Sequence, residues 1–411
     1  MKPAALRRAA LLLASMVASI ATLVSVCRAD APAMLDFSPA ELRRIESHGP
    51  WPPPTARDAG NAQSGRPDAV AFGQQLFFDT RLSPDGRLSC ASCHAPAKAF
   101  ADGRARSMGR VELDRNAPSL WNAVHERWYG WDGAADSLWS QSIRPLLDER
   151  EMASSAAHVA KVMAADGQLA CRYRRTFGRG PMHPDGAADQ AVLVNAAKAI
   201  GAFVATLVSG RSAFDDFRDA LARNDRLAAS RYPMDAQRGL RLFIGRGQCS
   251  TCHVGPMFSN GEFADTGLPF FIRPGVVDPG RHGGILALRA DPHNLLSAWS
   301  DDPHGSAATK TRHVDLQPRH FGEFKVPSLR NVALTAPYMH DGQLATLDDV
   351  LRHYSELNLD RLHADGEQIL KPLRLTALEQ ADLLAFLRSL SDPAAQDWRP
   401  ATGSTDPCVP G

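Results

Sequence analysis

The sequence predicts an essentially all-helical protein made of two copies of one domain type, with long loops. Two observations carry this expectation. The runs Gly73-Gln74-Gln75-Leu76-Phe77 and Gly239-Leu240-Arg241-Leu242-Phe243 repeat a G-x-x-L-F pattern on amphipathic stretches, and each leads through a loop into a Cys-x-x-Cys-His pentad. No convincing run of alternating apolar and polar residues interrupts this pattern, which leaves room for a small hairpin at most.

The bulk composition sets the frame. A length of 411 residues allows two or three domains, and 44% hydrophobic with 22% charged residues is the make-up of a globular chain. Lys plus Arg is 46 and Asp plus Glu is 45. A net charge of +1 gives no reason to expect a nucleic-acid partner.

In chain order, Lys2, Arg7 and Arg8 precede an apolar stretch from Ala9 to Val26, and Ala29 offers a small residue for cleavage. Residues 1–29 therefore read as a signal peptide, after which nothing is long and apolar enough to span a membrane. Residues 30–65 form an N-terminal extension. There Ser38-Pro39-Ala40-Glu41 is a capping box opening a short helix to about Ser47, and Trp51-Pro52-Pro53-Pro54 forces extended backbone.

The first domain is expected over 66–220, closed by a buried helix from Gln190 to Val208. The charged stretch Gly210 to about Asp235 looks like the connection to a second domain over 221–395. Within that domain, 269–318 is rich in Gly, Pro, His and Asp and reads as a long loop insertion. Thr376-Ala377-Leu378-Glu379 caps a terminal helix to Leu390, and 396–411 is a tail.

The pentads are Cys90-Ala91-Ser92-Cys93-His94 and Cys249-Ser250-Thr251-Cys252-His253. Such a pentad attaches a c-type haem: the thiols add across its vinyl groups and the adjacent His is directed at the iron. A zinc ribbon would need the Cys pairs much closer together, and a thioredoxin-type motif would need alternating strands and helices. Two c-type cytochrome domains, each with one covalent haem, follow. Cys171 and Cys408 also remain after cleavage and are expected to stay unpaired, since nothing in the sequence brings them together.

Several longer runs resemble the bacterial di-haem cytochrome c peroxidases. They are Leu76-Phe77-Phe78-Asp79, Asp114-Arg115-Asn116-Ala117-Pro118-Ser119-Leu120, Gly130-Trp131-Asp132-Gly133, Val326-Pro327-Ser328-Leu329-Arg330-Asn331 and Ala336-Pro337-Tyr338-Met339-His340-Asp341-Gly342. That family includes MauG-like enzymes, which oxidise residues of a partner protein. The resemblance implies that His94 holds a peroxide-reactive iron, and that His253 with Tyr354 holds a second, electron-transfer iron. Phenolate stabilises oxidised iron where Met would favour Fe(II); neighbouring His353 is the rival ligand. In the loop where peroxidases often carry a blocking His, this chain has Ser107-Met108-Gly109. An open first iron is expected, with Met108 as the alternative ligand.

The resemblance further implies that Glu151, helped by Gln141, shuttles the proton in peroxide cleavage, with Asp148 and Glu149 as neighbouring carboxylates. It places Trp131 between the haems, and Asn116, Thr335 and Pro337 around a calcium ion, whose oxygen-only ligands suit that cation. The segments Ser47-His48-Gly49-Pro50-Trp51-Pro52 and Trp131 to Trp139 look most like methanobactin-associated (MbnH-type) enzymes, which act on a tryptophan of a copper-binding partner. The function expected is a periplasmic oxidoreductase that uses hydrogen peroxide to form a high-valent di-haem state and oxidises a residue of a periplasmic partner protein. An ordinary peroxidase fed by a small cytochrome or cupredoxin, and a non-catalytic electron carrier, are the alternatives.

Overall fold

The computed structural model describes residues 34–54, 58–181, 186–269, 271–358, 369–400 and 407–408. The expected signal peptide lies outside them. Among the described residues no helix is long and apolar enough to cross a membrane.

Two helix pairs organise the chain, and the repeated glycine explains both. Helix Pro67–Phe78 packs on Gly186–Val204, and helix Met234–Ile244 packs on Ala377–Arg388. A Cβ at Gly73 would stand 1.8 Å from the carbonyl oxygen of Ala199, and one at Gly239 would stand 2.0 Å from that of Asp382. Only glycine lets the backbones approach so closely. Of the Leu and Phe of the repeat, Leu76, Phe77 and Phe243 are buried, and Leu242 is partly buried against the second core.

Each pair centres one core. Phe72, Phe77, Phe100, Trp139, Tyr173 and Phe203 fill the first; Phe214, Phe217, Phe243, Phe258 and Phe386 fill the second. The halves do not divide where expected. Helix Ala213–Ala222 lies in the second core through Phe214 and Phe217, so that core begins before residue 221, and the charged connection is part of it. Its acidic residues conceal an amphipathic face, and one of them, Asp215, forms a buried ion pair with Arg330 at 2.9 Å. The N-terminal extension also joins the second core: Ile45, on helix Pro39–Glu46, is fully buried there.

The tail crosses in the other direction. Trp398 stacks on Phe78 and meets Phe100 and Phe203 edge-on, all in or against the first core. Contrary to expectation, Cys171 and Cys408 form a disulfide, with Cα atoms 5.7 Å apart. They are 237 residues apart, and the tail's return onto helix Gly167–Phe177 is tertiary information that spacing does not carry.

The 269–318 segment is more ordered than a loop. It contains a hairpin of Phe271–Arg273 with Val276–Val277 and the helix Arg281–Ala290. Just outside it, strand Phe263–Asp265 pairs antiparallel with Glu323–Lys325, closing its base. Gly283 and Gly284 weaken the helical signal, yet Gly284 is required. A Cβ there would come 2.0 Å from the Asp132 carbonyl oxygen. From the same helix Arg281 donates to the carbonyls of Asp132 and Gly133, which docks the insertion against the first half.

Candidate active site

The two pentads are built alike. Cys90–Cys93 form a single helical turn and Cys249–Thr251 a 3-10 turn, so each pair of thiols projects from one side. None of the four thiols is in a disulfide. The ring of His94 is fixed through Nδ1, which donates to the Phe100 carbonyl at 3.1 Å; His253 Nδ1 donates to Phe258 at 2.9 Å. Both phenylalanines adopt left-handed backbone, φ 57° and 50°, which turns these carbonyls towards the imidazoles. Burial holds both histidines below their usual range, so each is neutral with Nε2 left as a donor atom. Metal-bound histidines carry this kind of backbone support. Thiol pairs outside any disulfide, supported imidazoles and largely apolar cavity walls fit a covalent haem in each half.

The first cavity is lined by Cys90, Cys93 and His94, with Gln141, Pro145, Glu151 and Met152. Gln141 projects from helix Leu138–Leu147, and its buried Oε1 has no hydrogen-bond partner. Burial, reinforced by the charge of Asp148, raises the Glu151 carboxyl to about 7. Asp148 and Glu149 are exposed, and neither lines this cavity. Gly109 packs against the Glu151 backbone, where a Cβ would lie 2.8 Å from Glu151 Cα, while Met108 is 41% exposed. The loop is thus pinned beside Glu151 with Met108 turned outward.

His253 and Tyr354 both line the second cavity. Tyr354 stands on helix Leu347–Ser355, and burial raises its phenol. His353 is otherwise engaged, its Nε2 bonded to the Thr266 carbonyl at 2.9 Å, and it does not line the cavity. Trp131 borders the second cavity and also the open cleft that reaches His94 and Glu151. Its indole Nε1 donates to the Asn116 carbonyl at 2.9 Å.

Asn116, Thr335 and Pro337 come together at the wall of the second cavity. The Asn116 amide donates to Arg104 O at 2.9 Å and to Pro337 O at 3.3 Å, satisfying both without a cation. A calcium ion would require this side chain to turn its Oδ1 towards those carbonyls.

Several groups escaped the sequence reading. Arg115 bridges Asp132 and Asp278 at 2.7 and 2.6 Å, tying the insertion to the cleft. His340 is buried, stacked on Phe324, with Nδ1 unpartnered. Lys325 and Glu126 form an ion pair that lines both cavities. The signal that could have found them is a second, longer repeat at constant displacement along the chain. It equates Pro118 with Pro327, Asn122 with Asn331, Tyr129 with Tyr338 and Ser137 with Thr346. The structure repeats with it. Asn122 and Asn331 are both left-handed, bridges join Tyr129 to Ala135 and Tyr338 to Leu344, and Ser137 and Thr346 both cap helices.

Residues 67–223 match the family model for di-haem cytochrome c peroxidase. The MauG protein of methylamine utilization from Methylorubrum extorquens is 33% identical over 379 residues, spanning 90% of this chain and 92% of that one. The cytochrome-c peroxidase IdrP2 of a Pseudomonas species is 34% identical, spanning 82% and 87%. Among solved structures, a MauG-like protein associated with microbial copper homeostasis superposes with a TM-score of 0.61 at 29% identity, over 85% of this chain and 97% of that one. The di-haem peroxidase BthA from Burkholderia thailandensis shares the fold, with a TM-score of 0.64 at 24% identity over 82% of this chain and 89% of that one.

The chain therefore belongs to the di-haem cytochrome c peroxidase and MauG family. It is a peroxidase-type haem oxidoreductase, and its family implies two c-type haems and peroxide as oxidant.

Proposed function

We propose that this protein acts in the periplasm as a MauG-like enzyme, using peroxide to oxidise a residue of a partner protein, with tryptophan as that residue. The observation that carries the reading is the asymmetry of the two cavities. Tyr354 lines the second beside His253, whereas the equivalent position in the first is Pro145, whose ring carries no donor atom, beside Gln141 and Glu151. When bound, the haems supply peroxide cleavage and the storage of its oxidising equivalents.

The protein's own groups do the rest. Glu151, titrating at about 7, accepts the proton of incoming peroxide and returns it to the departing oxygen. Gln141, whose carboxamide is buried at the same wall, orients the bound molecule by hydrogen bonding. Tyr354 would hold the second iron through its phenol oxygen, while the Thr266 carbonyl holds His353 aside. Trp131, fixed by Asn116, bridges the spaces around the two centres and carries charge between them. A calcium ion would be held there by the carbonyls of Thr335 and Pro337 with Asn116 Oδ1, once the Asn116 amide has turned.

Stopped-flow mixing of the all-ferric protein with one equivalent of peroxide tests it. Prompt spectral change at both haems without added reductant supports the reading. A reaction that waits for prior reduction of one haem identifies an ordinary peroxidase instead.

A further inference from the structure

Between the two cavities lies a buried charge with no role in the mechanism above. Lys325 ends the strand Glu323–Lys325 and is 6% exposed. Its backbone N–H donates to the Trp131 carbonyl at 2.8 Å, which sets it beside the inter-cavity tryptophan. Its ammonium pairs with Glu126 and reaches the Trp128 carbonyl at 3.3 Å. Both members of the ion pair line both cavities.

An ammonium has three N–H donors, and these contacts engage two of them. A buried lysine is stable only when its charge is answered, and one carboxylate at the edge of two large cavities answers it partly. Each cavity is built for a cofactor that itself carries two carboxylates, its propionates. The longer repeat sharpens the point. Lys325 occupies the position held in the first half by Asn116, so the pseudo-symmetric arrangement contains one cation where two neutral amides would have been symmetric.

We propose that Lys325 is an electrostatic clamp shared by the two haems. Its remaining N–H donates to a propionate oxygen, and its charge, trimmed by Glu126, sets the potentials of both irons together. A nearby cation favours the reduced, less positive iron, and a nearby carboxylate opposes it. Low dielectric in the buried wall makes one charge felt from both sides. The inference rests on the two haems of the family and is independent of which partner residue is oxidised.

The test is a spectroelectrochemical titration of both haems in haem-loaded protein. Lys325→Met lowers both midpoint potentials and Glu126→Gln raises both. Lys325→Arg, which keeps the charge, leaves both near those of the parent protein. A purely packing role would shift the two neutralising variants in the same direction. That outcome, a shift confined to one haem, or unchanged potentials in fully loaded Glu126→Gln protein would overturn the proposal.

Discussion

Pro145 and Tyr354 occupy the same position in the two copies of the longer repeat, each on the helix that follows a capping Ser or Thr. In one cavity that position presents a ring without a donor atom; in the other it presents a phenol. On the proposed function, this difference between the copies is what would separate a reactive centre from a closed one.

Glu151→Gln should slow the reaction with peroxide by about 10²- to 10⁴-fold, the usual worth of a positioned proton carrier, with both haems still attached. The parent rate should rise with pH through about 7 as the carboxyl ionises and becomes able to accept a proton; the variant should lose that rise. The same shift has a stability consequence. The folded value is raised above the ordinary 4.5, so the contribution of this group is present at low pH and is lost as pH rises towards 7. Stopped-flow rates and thermal melts across pH check both statements.

Tyr354→Phe should change the ferric spectrum of the second haem and leave that of the first intact. His353→Gln should leave both spectra close to the parent's, because its ring is bonded to the Thr266 carbonyl. Magnetic circular dichroism of the two variants separates the ligands. If the His353 variant instead alters the second haem, the ligand assignment is wrong.

Gly73→Ala and Gly239→Ala should each destabilise the protein by about 1–3 kcal/mol or more, although alanine is the better helix former by about 1 kcal/mol. The added methyl group meets backbone carbonyls that cannot turn away. Chemical denaturation followed by tryptophan fluorescence measures the loss.

Replacing Cys171 and Cys408 together by Ser should cost about 2–5 kcal/mol of stability while leaving the resting haem spectra unchanged. The disulfide closes a loop of 237 residues and fixes the tail that seats Trp398 on the first core. Limited proteolysis should then cut the tail first.

Much of this was legible in the sequence, for physical reasons that differ by element. The pentads and the G-x-x-L-F lead-ins are local patterns, and the helices they define appear at Pro67–Phe78 and Met234–Ile244. Capping boxes likewise marked Pro39–Glu46 and Ala377–Arg388 to within two residues. Helix Ala213–Ala222 was missed because its acidic residues dominate the composition while two phenylalanines carry its burial. Helix Arg281–Ala290 was missed because glycines needed for a close approach read as loop. The disulfide and the Lys325–Glu126 pair depend on chain crossings that no short window contains.

The most direct test of the central claim is the EPR spectrum of the resting, fully ferric, haem-loaded protein. The asymmetry between Pro145 and Tyr354 predicts one high-spin iron, open in the first cavity, and one low-spin iron, closed in the second. Two low-spin irons would mean that the first cavity closes as well, and would contradict the account.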